Sequence, residues 1–163
     1  MATSVLLIED NPGDVRLMRE ILLGTNNSLH LLVASDGVEA MEFLQRKGSH
    51  IHAPRPALIL LDLNLPRMDG REVLASIKAD ISLRTIPIIV LTTSNADTDI
   101  VKCYQLQANC YLCKPGQLSE YEQLMESINR FWLAQAKLPE SGTTLSPACD
   151  LAETELVEDM SFC

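Results

Sequence analysis

Five short apolar runs alternate along the chain with longer segments in which apolar residues recur at helical spacing. The runs are rich in Val, Ile and Leu and cover residues 5–8, 29–34, 57–61, 88–91 and 110–113. Strands that are apolar throughout are typical of a parallel sheet covered by helices on both faces. Because crossovers between parallel strands are right-handed, the alternation predicts an α/β fold: a doubly wound sheet of five parallel strands with five helices.

The helices are predicted from periodicity and from their end signals. Ser35 or Asp36 is a candidate N-cap for the second helix, Gly24 is a candidate stop for the first, and Ser119 with Glu122 is a candidate capping box for the last. The predicted helices cover residues 14–23, 36–47, 71–79, 95–107 and a final segment from residue 119 to Trp132.

Length and composition set the domain organisation. A chain of 163 residues with 47% apolar content suits one globular domain with a single core. We expect that domain, with an extended last helix, to occupy residues 1–139. Residues 140–163 are rich in Glu and Asp and are predicted to form an acidic tail, loosely ordered or with one short helix at 151–157.

The charge balance excludes some partners. With 13 Lys and Arg against 22 Asp and Glu, the net charge is -9, and such a surface is repelled by nucleic acid and by anionic membranes. The first apolar run is too short for a signal peptide, and no apolar stretch reaches the ~20 residues of a membrane helix. We therefore expect a cytoplasmic protein with neither nucleic acid nor membrane as a partner.

The five cysteines do not indicate a disulfide framework, because their number is odd and their spacing irregular. Cys110 and Cys113 have C-x-x-C spacing but lie on a predicted strand, where residues three apart point to opposite faces. A metal or redox role is not expected for this pair.

Polar groups end four of the predicted elements. Glu9 and Asp10 follow the first strand, Asp62 the third, Thr92 the fourth and Lys114 the fifth. Ligands of open parallel sheets bind at the carboxyl ends of the strands. Three carboxylates, a hydroxyl and an ammonium gathered there predict a phosphate site assisted by Mg²⁺, with Asp62 as the nucleophile at its centre.

Taken singly, each group has a simpler interpretation. The acid pair Glu9–Asp10 or Thr92 can cap the helix that follows it, and Asp62 can be a turn residue. Lys114 can be an ordinary surface lysine. Four such groups at successive strand ends favour a shared site.

Four segments, taken together, resemble the receiver domain of two-component response regulators. They are 8–14 (IEDNPGD), 61–70 (LDLNLPRMDG), 90–94 (VLTTS) and 111–115 (YLCKP). The resemblance covers residues 4–134 and implies the flavodoxin-like receiver fold with strand order 2-1-3-4-5. It also implies that Asp62 accepts a phosphoryl group from a histidine kinase. Glu9 and Asp10 match the acids that hold Mg²⁺ with Asp62, and Asn64 matches the residue whose backbone carbonyl completes the coordination.

The resemblance assigns roles on the last two strands as well. Thr92 matches the switch hydroxyl and Lys114 the lysine of the site, and Pro115 matches a proline that usually follows through a cis bond. Tyr111 matches an aromatic switch residue that swings inward when Thr92 moves toward the phosphoryl group. The alternative for Tyr111 is plain packing on a strand.

Two more segments narrow the resemblance. Residues 11–16 (NPGDVR), and 131–133 (FWL) with Leu138 and Pro139 after it, are similar to small single-domain regulators that serve cyanobacterial phytochromes. This implies a phytochrome-type kinase, no output domain, and a homodimer through the face of the fourth helix, fifth strand and fifth helix. Phe131 and Trp132 are candidate interface residues, although Trp132 could instead fold back on its own core.

Two positions depart from the family pattern. Thr93 stands where many receivers have alanine or glycine, and its bulk near the phosphorylated aspartate predicts slow dephosphorylation. Gln107 stands where glycine is more usual, for which the sequence alone offers no reason.

Three other functions remain as alternatives. A phosphohydrolase that forms an aspartyl-phosphate needs a second aspartate two residues after the nucleophile, but Asn64 is there. A flavodoxin-like cofactor carrier needs a phosphate loop after the first strand, where Glu9 and Asp10 would repel a phosphate. The third is a receiver that acts as an interaction scaffold without phosphorylation, which the complete acid set disfavours.

Overall fold

Five parallel strands form one sheet in the order β2-β1-β3-β4-β5. In the computed structural model, which describes residues 2–139, the strands are β1 (Thr3–Ile8), β2 (Leu29–Ala34), β3 (Leu58–Leu61), β4 (Ile88–Thr92) and β5 (Cys110–Cys113). The helices are α1 (Pro12–Thr25), α2 (Gly37–Leu44), α3 (Gly70–Ala79), α4 (Asp97–Gln105) and α5 (Leu118–Ile128). The predicted fold class and strand order are confirmed. The predicted acidic tail lies outside the described residues.

Successive strand residues face two separate apolar layers, as the period of two in a strand requires. In β1, Leu6 and Ile8 pack into a cluster with residues of α2, α3 and α4. Val5 and Leu7 face the opposite cluster, which α1 and α5 cover. Both layers are therefore closed by helices, and the carboxyl ends of the strands form the edge left for a site.

The end of β1 is separated from α1 by one capping residue. The Asn11 side chain accepts hydrogen bonds from the backbone N–H groups of Gly13 and Asp14, and Pro12 occupies the first helical position. The helix therefore begins two residues before the predicted start at Asp14, and it runs past Gly24 to Thr25. Since Asn11 is the cap, the interpretation of Glu9 and Asp10 as capping acids is wrong.

Two other predicted helix ends are also corrected. Asp36, and not Ser35, caps α2, and this helix ends at Leu44 instead of residue 47 because Arg46 is left-handed at φ 54°. No capping box forms at Ser119, because α5 begins one residue earlier at Leu118 and its N-cap makes no side-chain bond. A capping box forms instead at the start of α3, between Asp69 and Glu72.

The end of α4 explains the departure at Gln107. Its backbone is left-handed at φ 70°. The N–H of Gln107 donates to the carbonyl of Tyr104 at 2.9 Å, and that of Ala108 to the carbonyl of Cys103 at 3.0 Å. This is a Schellman motif, whose left-handed position is usually glycine because a Cβ there is strained.

A Gln107→Gly variant is therefore expected to be more stable than wild type by about 0.5–1 kcal/mol, because relief of left-handed strain outweighs the added freedom of the unfolded chain. Chemical denaturation measures the change. Gln45→Gly is the matched control, since Gln45 ends α2 with an ordinary right-handed backbone at φ -85°. If both variants change stability alike, left-handed strain is not the cause.

The chain continues beyond α5 without a turn. Residues Asn129–Gln135 form a π-helical segment that follows α5 directly. Trp132 and Leu133 in this segment pack against the cluster covered by α1 and α5. None of the described helices is long and apolar enough to cross a bilayer.

Candidate phosphoacceptor site

The register of β1 and β3 places two acids side by side. Ile8 pairs with Leu61, and the backbone N–H of Asp62 donates to the carbonyl of Ile8 at 3.0 Å. Glu9 and Asp62 thus leave neighbouring strands at the same level, and both are buried, at 2% and 7% exposure. This register confirms the prediction that the ends of these two strands lie side by side.

Three carboxylates converge at this edge. Ligand oxygens of Glu9, Asp10 and Asp62 lie within 4.8 Å of one another, with Asp10 exposed to solvent. Hard divalent cations prefer carboxylate oxygens and keep some of their waters. Two buried acids beside an exposed one fit such an ion, because the exposed side leaves room for those waters. Asn64 also lines the cleft, and its backbone N–H donates to Asp62 Oδ1 at 3.3 Å.

Gly70 allows the chain to pass close behind Asp62. A Cβ at this position would lie 2.2 Å from the backbone carbonyl oxygen of Asp62, a distance that backbone atoms cannot accommodate. Its N–H donates to the carbonyl of Leu63 at 2.9 Å. The glycine of the MDG sequence therefore lets α3 support the backbone that carries the central acid.

Lys114 reaches the carboxylates from β5. Its side chain is only 4% exposed, so its interpretation as a surface lysine is wrong. The ammonium donates to Glu9, to Asp14 Oδ2 at 3.0 Å and to Asp62 Oδ2 at 3.0 Å.

The described chain contains no cis peptide bond, so the expected cis form before Pro115 is wrong; the bond takes the trans form that is intrinsically favoured.

Burial and the contacts between charged groups have opposite effects on the pKa values of Lys114 and Glu9. Burial alone would lower the pKa of Lys114, but its hydrogen bonds to Glu9, Asp14 and Asp62 outweigh burial and raise that pKa above the usual range. Burial raises the pKa of Glu9 to about 7, although the hydrogen bond from Lys114 acts against this. The ammonium therefore remains charged at neutral pH and compensates acids that would otherwise repel one another.

Thr92 is the last residue of β4 and is fully buried. Its Oγ1 has no hydrogen-bond partner among the described residues. Ala96 is the N-cap of α4, so the interpretation of Thr92 as a capping residue is wrong. A buried hydroxyl without a partner costs free energy. Thr92 does not line the cleft at Asp62, so its predicted contact with a phosphoryl group needs a shift of the end of β4.

Tyr111 is tied to the loop that follows Thr92. Its ring is half-buried and its hydroxyl donates to the carbonyl of Ser94 at 2.9 Å. The Ser94 hydroxyl donates to Asp99 at 2.6 Å, and Asp99 accepts from Arg71 at 2.6 Å. The loop between β4 and α4 is therefore linked to α3, α4 and β5, and a shift at Thr92 has a route to all three.

The site opens to solvent through a cleft of about 500 Å³. Nine residues line it: Glu9, Asp10, Asn11, Pro12, Asp14, Asp62, Asn64, Thr93 and Lys114. Thr93 is exposed on the cleft wall, as its predicted role near the aspartate requires. Asp14 was not predicted from the sequence, because no local pattern links it to a lysine 100 residues away.

The two predicted interface residues differ in environment. Phe131 is 54% exposed, whereas Trp132 is half-buried and packs partly on its own core. Their rings are in edge contact at 5.4 Å. Phe131 is therefore the better candidate for contact with another molecule.

Comparison with known proteins identifies the family of this chain. Residues 5–128 match the response regulator receiver domain family. The response regulator Rcp1 of Synechocystis sp. is 46% identical over 135 residues, which cover 83% of this chain and 92% of Rcp1. The probable methanogenesis regulatory protein FilR2 of Methanothrix harundinacea is 37% identical, over 83% of this chain and 86% of FilR2.

Solved structures show the same fold. The Mn²⁺-bound form of Rcp1 has a TM-score of 0.82 and 45% identity, covering 85% of this chain and 99% of that one. The phosphorylated cyanobacterial phytochrome response regulator RcpA has a TM-score of 0.83 and 45% identity, covering 86% of this chain and 100% of that one. The chain therefore belongs to the response regulator receiver family.

Proposed function

We propose that this protein is a phosphoacceptor of a two-component phosphorelay, in which Asp62 receives a phosphoryl group from a histidine kinase. The observation that carries the proposal is the convergence on Asp62 of two further carboxylates and of the buried Lys114 ammonium, 3.0 Å from its Oδ2. Asn64 stands where a phosphohydrolase needs its acid/base aspartate. The site around Asp62 is therefore better suited to hold a phosphoryl group than to turn over a substrate.

The transfer needs little covalent chemistry from the protein. A carboxylate oxygen of Asp62 forms a bond to phosphorus while the bond from phosphorus to the donor breaks, and the leaving group takes the electron pair. Lys114 keeps its protons and donates hydrogen bonds to the phosphoryl oxygens that carry the transition-state charge. The unpartnered hydroxyl of Thr92 supplies another donor.

Glu9, Asp10 and Asp62, with the Asn64 backbone carbonyl, would hold Mg²⁺ in this proposal. When bound, the ion neutralises the acids and the phosphoryl oxygens and so lets two anions approach each other. Lys114 must then exchange its contact with Asp62 for one with the phosphoryl group. The signal is the accompanying shift of Thr92 and of the Tyr111–Ser94 contact.

The proposed kinase is a phytochrome-type photoreceptor. The similarity to a cyanobacterial phytochrome response regulator over 86% of the chain supports this assignment. The cleft around Asp62 is the surface that a phosphohistidine must reach.

The proposal is tested by incubating the protein with acetyl phosphate and Mg²⁺ and recording the intact mass. We expect a gain of one phosphoryl group that disappears when EDTA replaces Mg²⁺. Absence of any gain with Mg²⁺ at saturating donor would show that the site is not a phosphoacceptor.

We also propose that the phosphorylated form is long-lived, because Thr93 on the cleft wall restricts attack by water. A Thr93→Ala variant is expected to lose its phosphoryl group severalfold faster than wild type, as followed by intact mass after removal of the donor. Thr98→Ala, on the exposed face of α4, makes the same chemical change outside the cleft and should leave the lifetime unaltered. A wild-type half-life of seconds would contradict the proposal.

Homodimerisation through the face of α4, β5 and α5 completes the proposed function. Large apolar side chains are exposed on or after these helices: Val101, Tyr104, Leu118 and Phe131. Exposed apolar side chains of this size support a protein partner, and a second copy of the chain is the partner that we propose.

Removal of the Phe131 ring tests this interface. Phe131→Ala is expected to weaken self-association at least tenfold, because burial of a phenylalanine contributes about 1.5–3 kcal/mol and both copies in the dimer lose it. Sedimentation equilibrium measures the effect. Ile81→Ala is the matched control, since Ile81 is 78% exposed but lies between α3 and β4. An unchanged association constant for Phe131→Ala, or a monomeric wild type, would show that the proposed interface is wrong.

A further inference from the structure

We propose that Asp14 is a positioning residue for phosphoryl transfer, whose carboxylate anchors the Lys114 ammonium while Glu9 and Asp62 bind other groups. The inference rests on the phosphoacceptor function proposed above. It concerns a residue outside the group of three acids that converge as candidate metal ligands.

The backbone of Asp14 is held by the cap of α1. Its N–H donates to the Asn11 side chain at 3.2 Å, which places Asp14 in the first turn of the helix. From there its Oδ2 lies 3.0 Å from Lys114 Nζ, the same distance as Asp62 Oδ2. The Asp14 side chain is 30% exposed, so it lies at the rim of the cleft, unlike the buried Glu9.

The other two partners of Lys114 have competing roles. Glu9 and Asp62 offer oxygens to the candidate metal site, and Asp62 becomes an acyl phosphate on transfer. Metal binding and acyl phosphate formation therefore each reduce the negative charge that Glu9 and Asp62 offer to the ammonium. Asp14 is the contact that neither change uses, so it remains available throughout the reaction.

A retained anchor matters because the ammonium is almost fully buried. A buried cation without a partner is strongly disfavoured, and a lysine side chain free to leave the cleft must be ordered again before it can stabilise the transition state. Asp14 keeps the ammonium both charged and near the phosphoryl oxygens. A simpler role for Asp14 is favourable interaction with the N-terminus of α1, which would affect stability but not transfer.

The test compares Asp14→Ala and Asp14→Asn with Glu20→Gln, which removes one exposed acid from the same helix. For each variant we would measure the phosphorylation rate constant at saturating acetyl phosphate and Mg²⁺, the Mg²⁺ concentration at half-saturation, and the thermal midpoint. We expect Asp14→Ala to lower the saturating rate constant about tenfold, as loss of a supporting residue typically does. Asp14→Asn should lower it less, because the amide oxygen still accepts a hydrogen bond, and Glu20→Gln should not change it.

The outcomes separate the two proposals. If wild type takes up no phosphoryl group, the proposed function fails. If wild type is phosphorylated and the Asp14 variants keep its saturating rate constant while only their thermal midpoints fall, the anchoring role is wrong. Should Asp14→Ala not fold, Asp14→Asn decides, because a rate constant equal to that of Glu20→Gln would refute the inference.

Discussion

An Asp62→Asn variant is expected to gain no phosphoryl group from acetyl phosphate and Mg²⁺ under conditions that fully modify the wild type. The amide is no nucleophile toward phosphorus, and it removes one charge from the group of three acids. The fold should persist, because asparagine has the same shape and its amide oxygen can still accept from Lys114. Intact-mass measurement follows the modification, and circular dichroism checks the fold.

Asp97→Asn is the control for this substitution, since Asp97 is exposed in the first turn of α4. This variant should be phosphorylated like wild type. Equal modification of Asp62→Asn and wild type would place the phosphoryl group on another residue.

A Lys114→Met variant is expected to separate phosphorylation from metal binding. Methionine approximates the volume of lysine without the ammonium, so phosphorylation should slow by about 10²-fold, as when one fixed donor to a transition state is removed. Mg²⁺ should bind severalfold more tightly, because the ion no longer competes with an ammonium for Glu9 and Asp62. Stopped-flow phosphorylation and calorimetric titration measure the two effects.

The same variant should be less stable without metal by about 3–5 kcal/mol, because it leaves buried carboxylates without their cation. This deficit in the free energy of unfolding, relative to wild type, depends on pH. Burial raises the pKa of Glu9 to about 7 in the folded protein. Such a carboxyl binds more protons folded than unfolded, so stability falls as pH rises from the unfolded pKa to the folded one. Loss of the ammonium raises the folded pKa further, so the deficit should be larger at pH 8 than at pH 6.

Lys47→Met controls for loss of a lysine, because Lys47 is exposed after α2. It should change neither Mg²⁺ affinity nor stability measurably. If Lys114→Met phosphorylates at the wild-type rate, the ammonium does not stabilise the transferring group.

The sheet was predictable because its signals are local. Runs such as Leu58–Leu61 are apolar at every residue, as a strand covered on both faces requires. The polar residues that end these runs then mark the edge of the sheet. Parallel pairing, such as Ile8 with Leu61, brings their side chains together without further information.

The helix ends were predicted less well, because several signals compete for the same residues. Asn11 caps α1 although acids precede it, and Asp69 with Glu72 forms the capping box that Ser119 does not. The left-handed Gln107 ends α4 without the expected glycine, since the Schellman hydrogen bonds hold it there.

The role of Asp14 could not be predicted, because its contact with Lys114 joins residues that only the completed sheet brings together. The unpartnered hydroxyl of Thr92 is likewise a property of packing and not of sequence. The motifs therefore indicate which groups meet, whereas the structure is needed to show which of them are already bonded to one another.

The most direct measurement is the location of the phosphoryl group itself. After incubation with acetyl phosphate and Mg²⁺, borohydride reduces an aspartyl-phosphate to homoserine, which peptide mass spectrometry can place in the chain. We predict homoserine at position 62 and at no other aspartate. Homoserine at another aspartate, or none in a protein that has gained a phosphoryl mass, would contradict the assignment of Asp62 as the phosphoacceptor.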